Sequence, residues 1–178
     1  MMDFTTFYTA IHGYAPYQWQ IDLANKVVAD DTWDNAISAP TGAGKTSVID
    51  IAVWHLAHQI MTGTTRTAPL RIVHTVERKL IVDGAAAHAE TIARAVDTNP
   101  ELADVRAALR SLLPDYHDET EPTILVTSMH GDTTWDQTWW RPVGCSIITG
   151  TMTQIVSRVL YRGIGESSGT RSCLLYTS

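Results

Sequence analysis

The residues of this chain best suited to chemistry lie in one short stretch. Ala39-Pro40-Thr41-Gly42-Ala43-Gly44-Lys45-Thr46 has the spacing of a phosphate-gripping loop, with alanine where the simplest pattern has glycine. Gly42 and Gly44 let the backbone curl so that successive N–H groups point at phosphate oxygens. The Lys45 ammonium is spaced to reach the β- and γ-phosphates, and the Thr46 hydroxyl to ligate Mg²⁺. A helix starting near Gly44 adds its positive end to the anion site. Thr41, Gly42, Ala43, Gly44, Lys45 and Thr46 are therefore read as a nucleotide grip.

Such a loop needs a strand before it and a helix after it. Trp33 to Ala39 (WDNAISA) is a short, mostly apolar run that reads as a buried strand. From Gly44 to about Ile60, Val48, Ile51, Ala52, Leu56 and Ile60 recur at helical spacing, and Gly63 is the stop. Upstream, Pro16 opens a helix carrying Trp19, Leu23, Val27 and Val28 on one side. Downstream, Leu70 to Val76, Thr123 to Met129 and Cys145 to Thr151 read as strands. Arg78 to Val96 reads as a helix, and so does a segment opened by Asn99-Pro100 and ended by Pro114. Asp115 to Pro122 is an acidic loop, HGDTTWDQTWWRP a polar excursion, and Met152 to Tyr161 a last helix. Strands alternating with helices predict an α/β fold with a mainly parallel central sheet flanked by helices.

Composition narrows the class without choosing a function. The chain has 178 residues, 44% hydrophobic and 18% charged, as expected of a globular domain with a real core. No apolar run approaches the ~20 residues of a membrane helix, and the polar N-terminus is no signal peptide. Cys145 and Cys173 lack metal-ligand spacing, so the expectation is a reduced, cytoplasmic protein. A net charge of −6 argues against a general polyanion-binding surface but allows a local track of backbone contacts. His55 and His58 sit three apart on the expected loop helix, with no third ligand nearby in sequence, and read as packed or surface histidines. Arg94, Arg106 and Arg110 read as solvated helix faces.

A loop spelled A-x-T-G-x-G-K-T resembles motif I of superfamily 2 helicases and translocases. Other stretches agree in order: PYQWQ (16–20), IVHTVERKLIVDGAAAHA (72–89) and CSIITGTMTQIVSRVLYRG (145–163). Within that superfamily, tryptophans around D-x-x-W and the G-T-x-x-Q-x-x-S-R-x-L-x-R-G run are similar to the CRISPR-associated helicase–nuclease of type I systems. The nearest variants are those of subtype I-U (I-G), which put the helicase first. The resemblance covers about residues 14 to 165. It implies a RecA-like domain, C-terminally incomplete, spanning 1–165. It also implies ATP and Mg²⁺ as cofactors, with Thr46 on the metal. Gln20 is assigned to the adenine edge, with Gln18 the alternative. Arg78, Lys79, Thr151, Gln154 and Arg158 are assigned to the backbone of single-stranded DNA. The implied partner is a surveillance complex holding the guide RNA. The chain departs from the pattern at Thr153-Gln154, where the family has Asp-Gln, and at Gly84, where it has glutamine.

Turnover of ATP needs carboxylates on the magnesium and on the attacking water, and an arginine on the transition state. In the family these come from a D-E-A-H-like box and a second RecA-like domain. No apolar run followed by Asp-Glu occurs in the 178 residues, and the one His-Asp pair, His117-Asp118, lies in the acidic loop, so no nuclease is read here. No catalytic residue is therefore assigned. Residues 166–178 (ESSGTRSCLLYTS) have no periodicity, and CLLYTS back-translates into the end of a transposon-based sequencing adapter, so this tail is read as non-native or disordered. The leading expectation is the N-terminal, ATP-binding portion of a DNA motor in CRISPR interference, whose unpaired sheet edges would favour aggregation. The alternatives are another superfamily 2 motor, such as a restriction-system translocase, and a nucleotide-binding module without catalysis. A small-molecule kinase is the weakest reading, because it needs an acceptor pocket and lid arginines that cannot be placed. Trp135, Trp139 and Trp140 suit base stacking and suit a packed loop equally.

Overall fold

The computed structural model describes residues 2–114, 118, 120–129 and 144–161. Its elements begin with two helices, α1 (Phe4–His12) and α2 (Gln18–Asp30). Asp3 caps α1 by accepting the Thr6 N–H at 2.7 Å, and Gly13 closes it in the left-handed region. Leu23, Ala24 and Val27 are the buried side of α2, with Trp19 and Val28 packed at its margin, as the periodicity predicts. After a long connection comes a single 3₁₀ turn, Lys45–Ser47, which runs into α3 (Val48–Thr62). Gly63, at φ 67°, ends that helix.

The remainder mixes strands and helices: β1 (Arg71–Val76), α4 (Lys79–Thr98), α5 (Ala103–Arg110), β2 (Ile124–Met129), β3 (Cys145–Thr151) and α6 (Met152–Tyr161). The three strands form one parallel sheet in the order β1–β3–β2. Parallel neighbours need long crossovers, and α4 with α5 supplies the one from β1 to β2. β3 lies at the centre, where Ile147 faces Ile72 on one side and Val126 on the other. Ile72, Ile124, Cys145 and Ile147 belong to the main core, which the helices α1 to α5 complete. Val73, Met129 and Ile148 form a second, smaller cluster beneath Ile155 of α6. A Cβ at Gly150 would come within 3.1 Å of Ile155, so glycine allows α6 its close seat on the sheet.

One expected element is not formed. The segment from Trp33 to Ala39 belongs to no strand, and Asp34, Asn35, Ala36 and Ser38 are exposed. Only Trp33 and Ile37 lean on the core. Among the described residues the sheet ends at β1, so no strand lies beside this segment to take its backbone hydrogen bonds, and an apolar run without a partner is not a strand. The chain is thus mixed α/β with a small parallel sheet flanked by helices. No helix among the described residues is long and apolar enough to cross a membrane. Trp135, Trp139, Trp140 and the tail 166–178 lie outside the described residues, as does half of the acidic loop.

Candidate nucleotide site

The loop before α3 turns at two glycines, and the helix expected from Gly44 begins instead at Val48, after a 3₁₀ turn. Gly42 and Gly44 stand at φ 82° and 69°, a region in which side chains other than glycine are strained. Between them the Ala43 N–H closes a turn on the Pro40 carbonyl at 3.2 Å. The 3₁₀ turn then opens with the Ser47 N–H on the Gly44 carbonyl at 3.0 Å, and the Ser47 hydroxyl donates to the same oxygen at 2.7 Å. Lys45 is exposed and Thr46 half-buried, and both line a cleft of about 760 Å³. That volume is in the range of small-molecule sites.

The loop is held from behind by α2. Gln20 is fully buried: its Oε1 accepts the Tyr17 N–H at 2.8 Å, and its Nε2 donates to the Gly44 carbonyl at 3.1 Å. Trp19 donates its indole N–H to the Ala43 carbonyl at 3.0 Å. The Gln20 amide therefore meets the loop backbone here, while Gln18 is exposed and bonded to Asp22. A Cβ on Gly44 would lie 2.8 Å from Gln20 Nε2, so this contact demands glycine twice over.

The far wall of the cleft belongs to no sequence motif of the loop. It comes from the carboxyl end of β1 and the start of α4, through His74, Thr75, Glu77, Arg78 and Ile81, facing Trp33 and Ile37 across the gap. The signal available in sequence was the rule that ligands of open parallel sheets sit beyond the carboxyl ends of the strands. Burial, reinforced by the nearby His88, pushes the His74 imidazole below its ordinary value, so it lines the wall as a neutral ring. The Thr75 hydroxyl is buried with no hydrogen-bond partner among the described residues.

Of the residues assigned to nucleic acid, Arg78, Thr151 and Gln154 lie near the carboxyl edge of the sheet. Val76 and Thr151 are register partners at the ends of β1 and β3, so Arg78, two residues on, and Thr151 share the carboxyl edge of the sheet. Arg78 is exposed, Thr151 and Gln154 are half-buried, and the Gln154 N–H donates to the Thr151 hydroxyl at 3.4 Å. Lys79 opens α4 and Arg158 lies in α6; their side chains are outside the described residues. His55 and His58 do not converge: His55 sits 3.5 Å from Asp31, and His58 packs on the Trp54 ring. Burial lowers the pKa of both. Arg106 and Arg110 hold backbone carbonyls, of Asp97 at 2.6 Å and of Glu121 at 3.0 Å, and so do more than coat a solvated face. No protein-family model, curated protein or solved structure matches the chain.

Proposed function

We propose that this chain binds ATP and Mg²⁺ through Lys45 and Thr46, as the ATP-binding part of a RecA-like, superfamily 2 DNA motor of CRISPR type I interference. The single observation that carries the nucleotide reading is the loop itself. Two glycines at positive φ lead into the first turn before α3, and Lys45 and Thr46 face a cleft beside the carboxyl end of β1. The motor reading rests on the motif wording and on the rim shared by Arg78, Thr151 and Gln154, where a single strand of DNA would be held by its backbone. In the cytoplasm, the surveillance complex with its guide RNA would present that strand.

On this reading the chain grips the nucleotide, and the carboxylates and arginine of hydrolysis come from outside these 178 residues. Because no Asp-Glu follows an apolar run here, a second reading stands beside the first: a nucleotide-binding module without catalysis. A fluorescent ATP analogue titrated with Mg²⁺ tests the grip. Lys45→Ala should weaken binding about 10- to 100-fold, the worth of a charge-assisted contact. Equal affinity in the two proteins would sink the nucleotide reading. Anisotropy of a labelled single-stranded oligonucleotide tests the rim. Arg78→Ala should weaken binding and reduce the salt dependence by about one charge. No binding of the oligonucleotide would leave the binding module as the better account.

A further inference from the structure

One turn beyond the phosphate loop, α3 carries a carboxylate that a nucleotide grip does not use. Asp50 is wholly buried, and no lysine or arginine pairs with it among the described residues. Its two oxygens instead meet two imidazoles brought from other helices. Oδ1 lies 2.8 Å from His12 Nε2 at the end of α1, and Oδ2 lies 2.5 Å from His88 Nε2 in the middle of α4. Three donor atoms from three helices thus fall within 4.8 Å of one another. A buried carboxylate without a cation is costly, and two imidazole nitrogens with one carboxylate oxygen form a donor set suited to zinc and its neighbours.

We propose that His12, Asp50 and His88 form a binding site for one divalent transition-metal ion of the zinc class. The surroundings fit a cation. Tyr8 lies against His12 with ring centroids 4.3 Å apart and planes tilted by 46°. No fixed positive charge among these neighbours opposes metal entry. Access comes from the His88 side, whose side chain is 21% exposed against 7% for His12 and 0% for Asp50. A solvent molecule entering there completes four-coordination, the usual partner of three protein ligands.

The ion-free geometry states what binding must change. Contacts of 2.5 and 2.8 Å are hydrogen bonds, with a proton where the metal would stand. Neighbouring ligands around a tetrahedral ion with bonds of about 2.0–2.1 Å lie roughly 3.3 Å apart. The two imidazoles, now stacked at 15° with centroids 5.0 Å apart, must therefore turn out of parallel to point their lone pairs at one ion. Binding so ties α1, α3 and α4 together at a point 38 residues from each outer ligand along the chain. The site is independent of the nucleotide reading.

The test uses the full chain, stripped with a chelator and titrated with Co²⁺ and then Zn²⁺ in the absence of nucleotide. The expected result is one ion per chain, with the visible bands of tetrahedral Co²⁺ bleached as Zn²⁺ displaces it. His88→Asn and His12→Asn should each weaken binding by about 10-fold or more, whereas His58→Asn should leave it unchanged. Zn²⁺ should raise the melting temperature of the native chain and not that of His88→Asn. Asp50→Asn is avoided because removing a buried charge risks the fold itself. X-ray absorption on the zinc-loaded native chain supplies a reading that needs no variant. A nitrogen-and-oxygen shell with two imidazoles supports the site. A shell without imidazoles, or equal binding by His88→Asn, overturns it.

Discussion

Two seven-residue runs of this chain look alike as sequence and fold differently. Cys145–Thr151 is the central strand, paired on both edges and buried along nearly its whole length. Trp33 to Ala39 is no strand, and most of it faces solvent. The first run has Ile147 and Ile148 between small residues, so both faces of the pleat find a packing partner. The second has Asp34 and Asn35 inside it and a cleft where a neighbouring strand would lie. Strand propensity is a statement about fitting a pleated surface, and only one of the runs has such a surface beside it.

The sharpest way to break the comparison is to empty each run in turn. Ile147→Ala should cost about 2–5 kcal/mol of stability in urea unfolding, as for other fully buried isoleucines. Ile37→Ala should cost about 1 kcal/mol, because its side chain only leans on the core. Equal losses would mean that the segment from Trp33 to Ala39 is held as firmly as β3. The loop that follows offers a contrast of its own. Gly44→Ala meets both an unfavourable φ and the Gln20 amide, whereas Gly42→Ala meets the φ alone. The second should cost about 1–2 kcal/mol, and the first should cost more and weaken nucleotide binding.

Much of this architecture is legible in sequence because its signals are local. Asn99-Pro100 caps and opens a helical turn, and Asn99 Oδ1 does accept the Glu101 N–H at 2.9 Å. Gly63 and Gly13 stop helices through their own φ angles. The glycine turn before α3 is legible for the same reason, since its glycines and its lysine lie within eight residues. What escapes such reading is whatever the chain assembles across distance. The absent partner of the Trp33 to Ala39 segment is a fact about the sheet. The wall of the cleft made by β1 depends on strand order, and Gln20 clasping Gly44 joins residues 24 apart. Asp50 between His12 and His88 belongs to no motif at all.

Smaller effects follow from the buried titrating groups of the sheet. His74 has its pKa lowered by burial, so the unfolded chain takes up this proton more readily than the folded one. Its share of stability is intact at neutral pH and is lost as pH falls below about 6.5, the ordinary imidazole value, towards the lower folded value. The urea midpoint should drop between pH 7.5 and about 5.5, and His74→Gln should flatten that dependence. An unchanged profile in the variant would remove His74 from the account. Complete burial pushes the Cys145 thiol up to about 12. In a Cys173→Ser chain at about pH 8, where an ordinary thiol is partly ionised, a thiol reagent should therefore react only after urea is added. Reaction in the folded chain would show that β3 opens far more easily than its burial implies.

The proposed seat of the nucleotide is the cleft between the Trp33 to Ala39 segment and β1. Hydrogen–deuterium exchange with and without Mg²⁺ and a non-hydrolysable ATP analogue tests it most directly. The expected result is slower exchange at 40–47, at 33–37 and at 74–78, and no such change in Lys45→Ala. Unchanged exchange at all three, or equal slowing in Lys45→Ala, would contradict it.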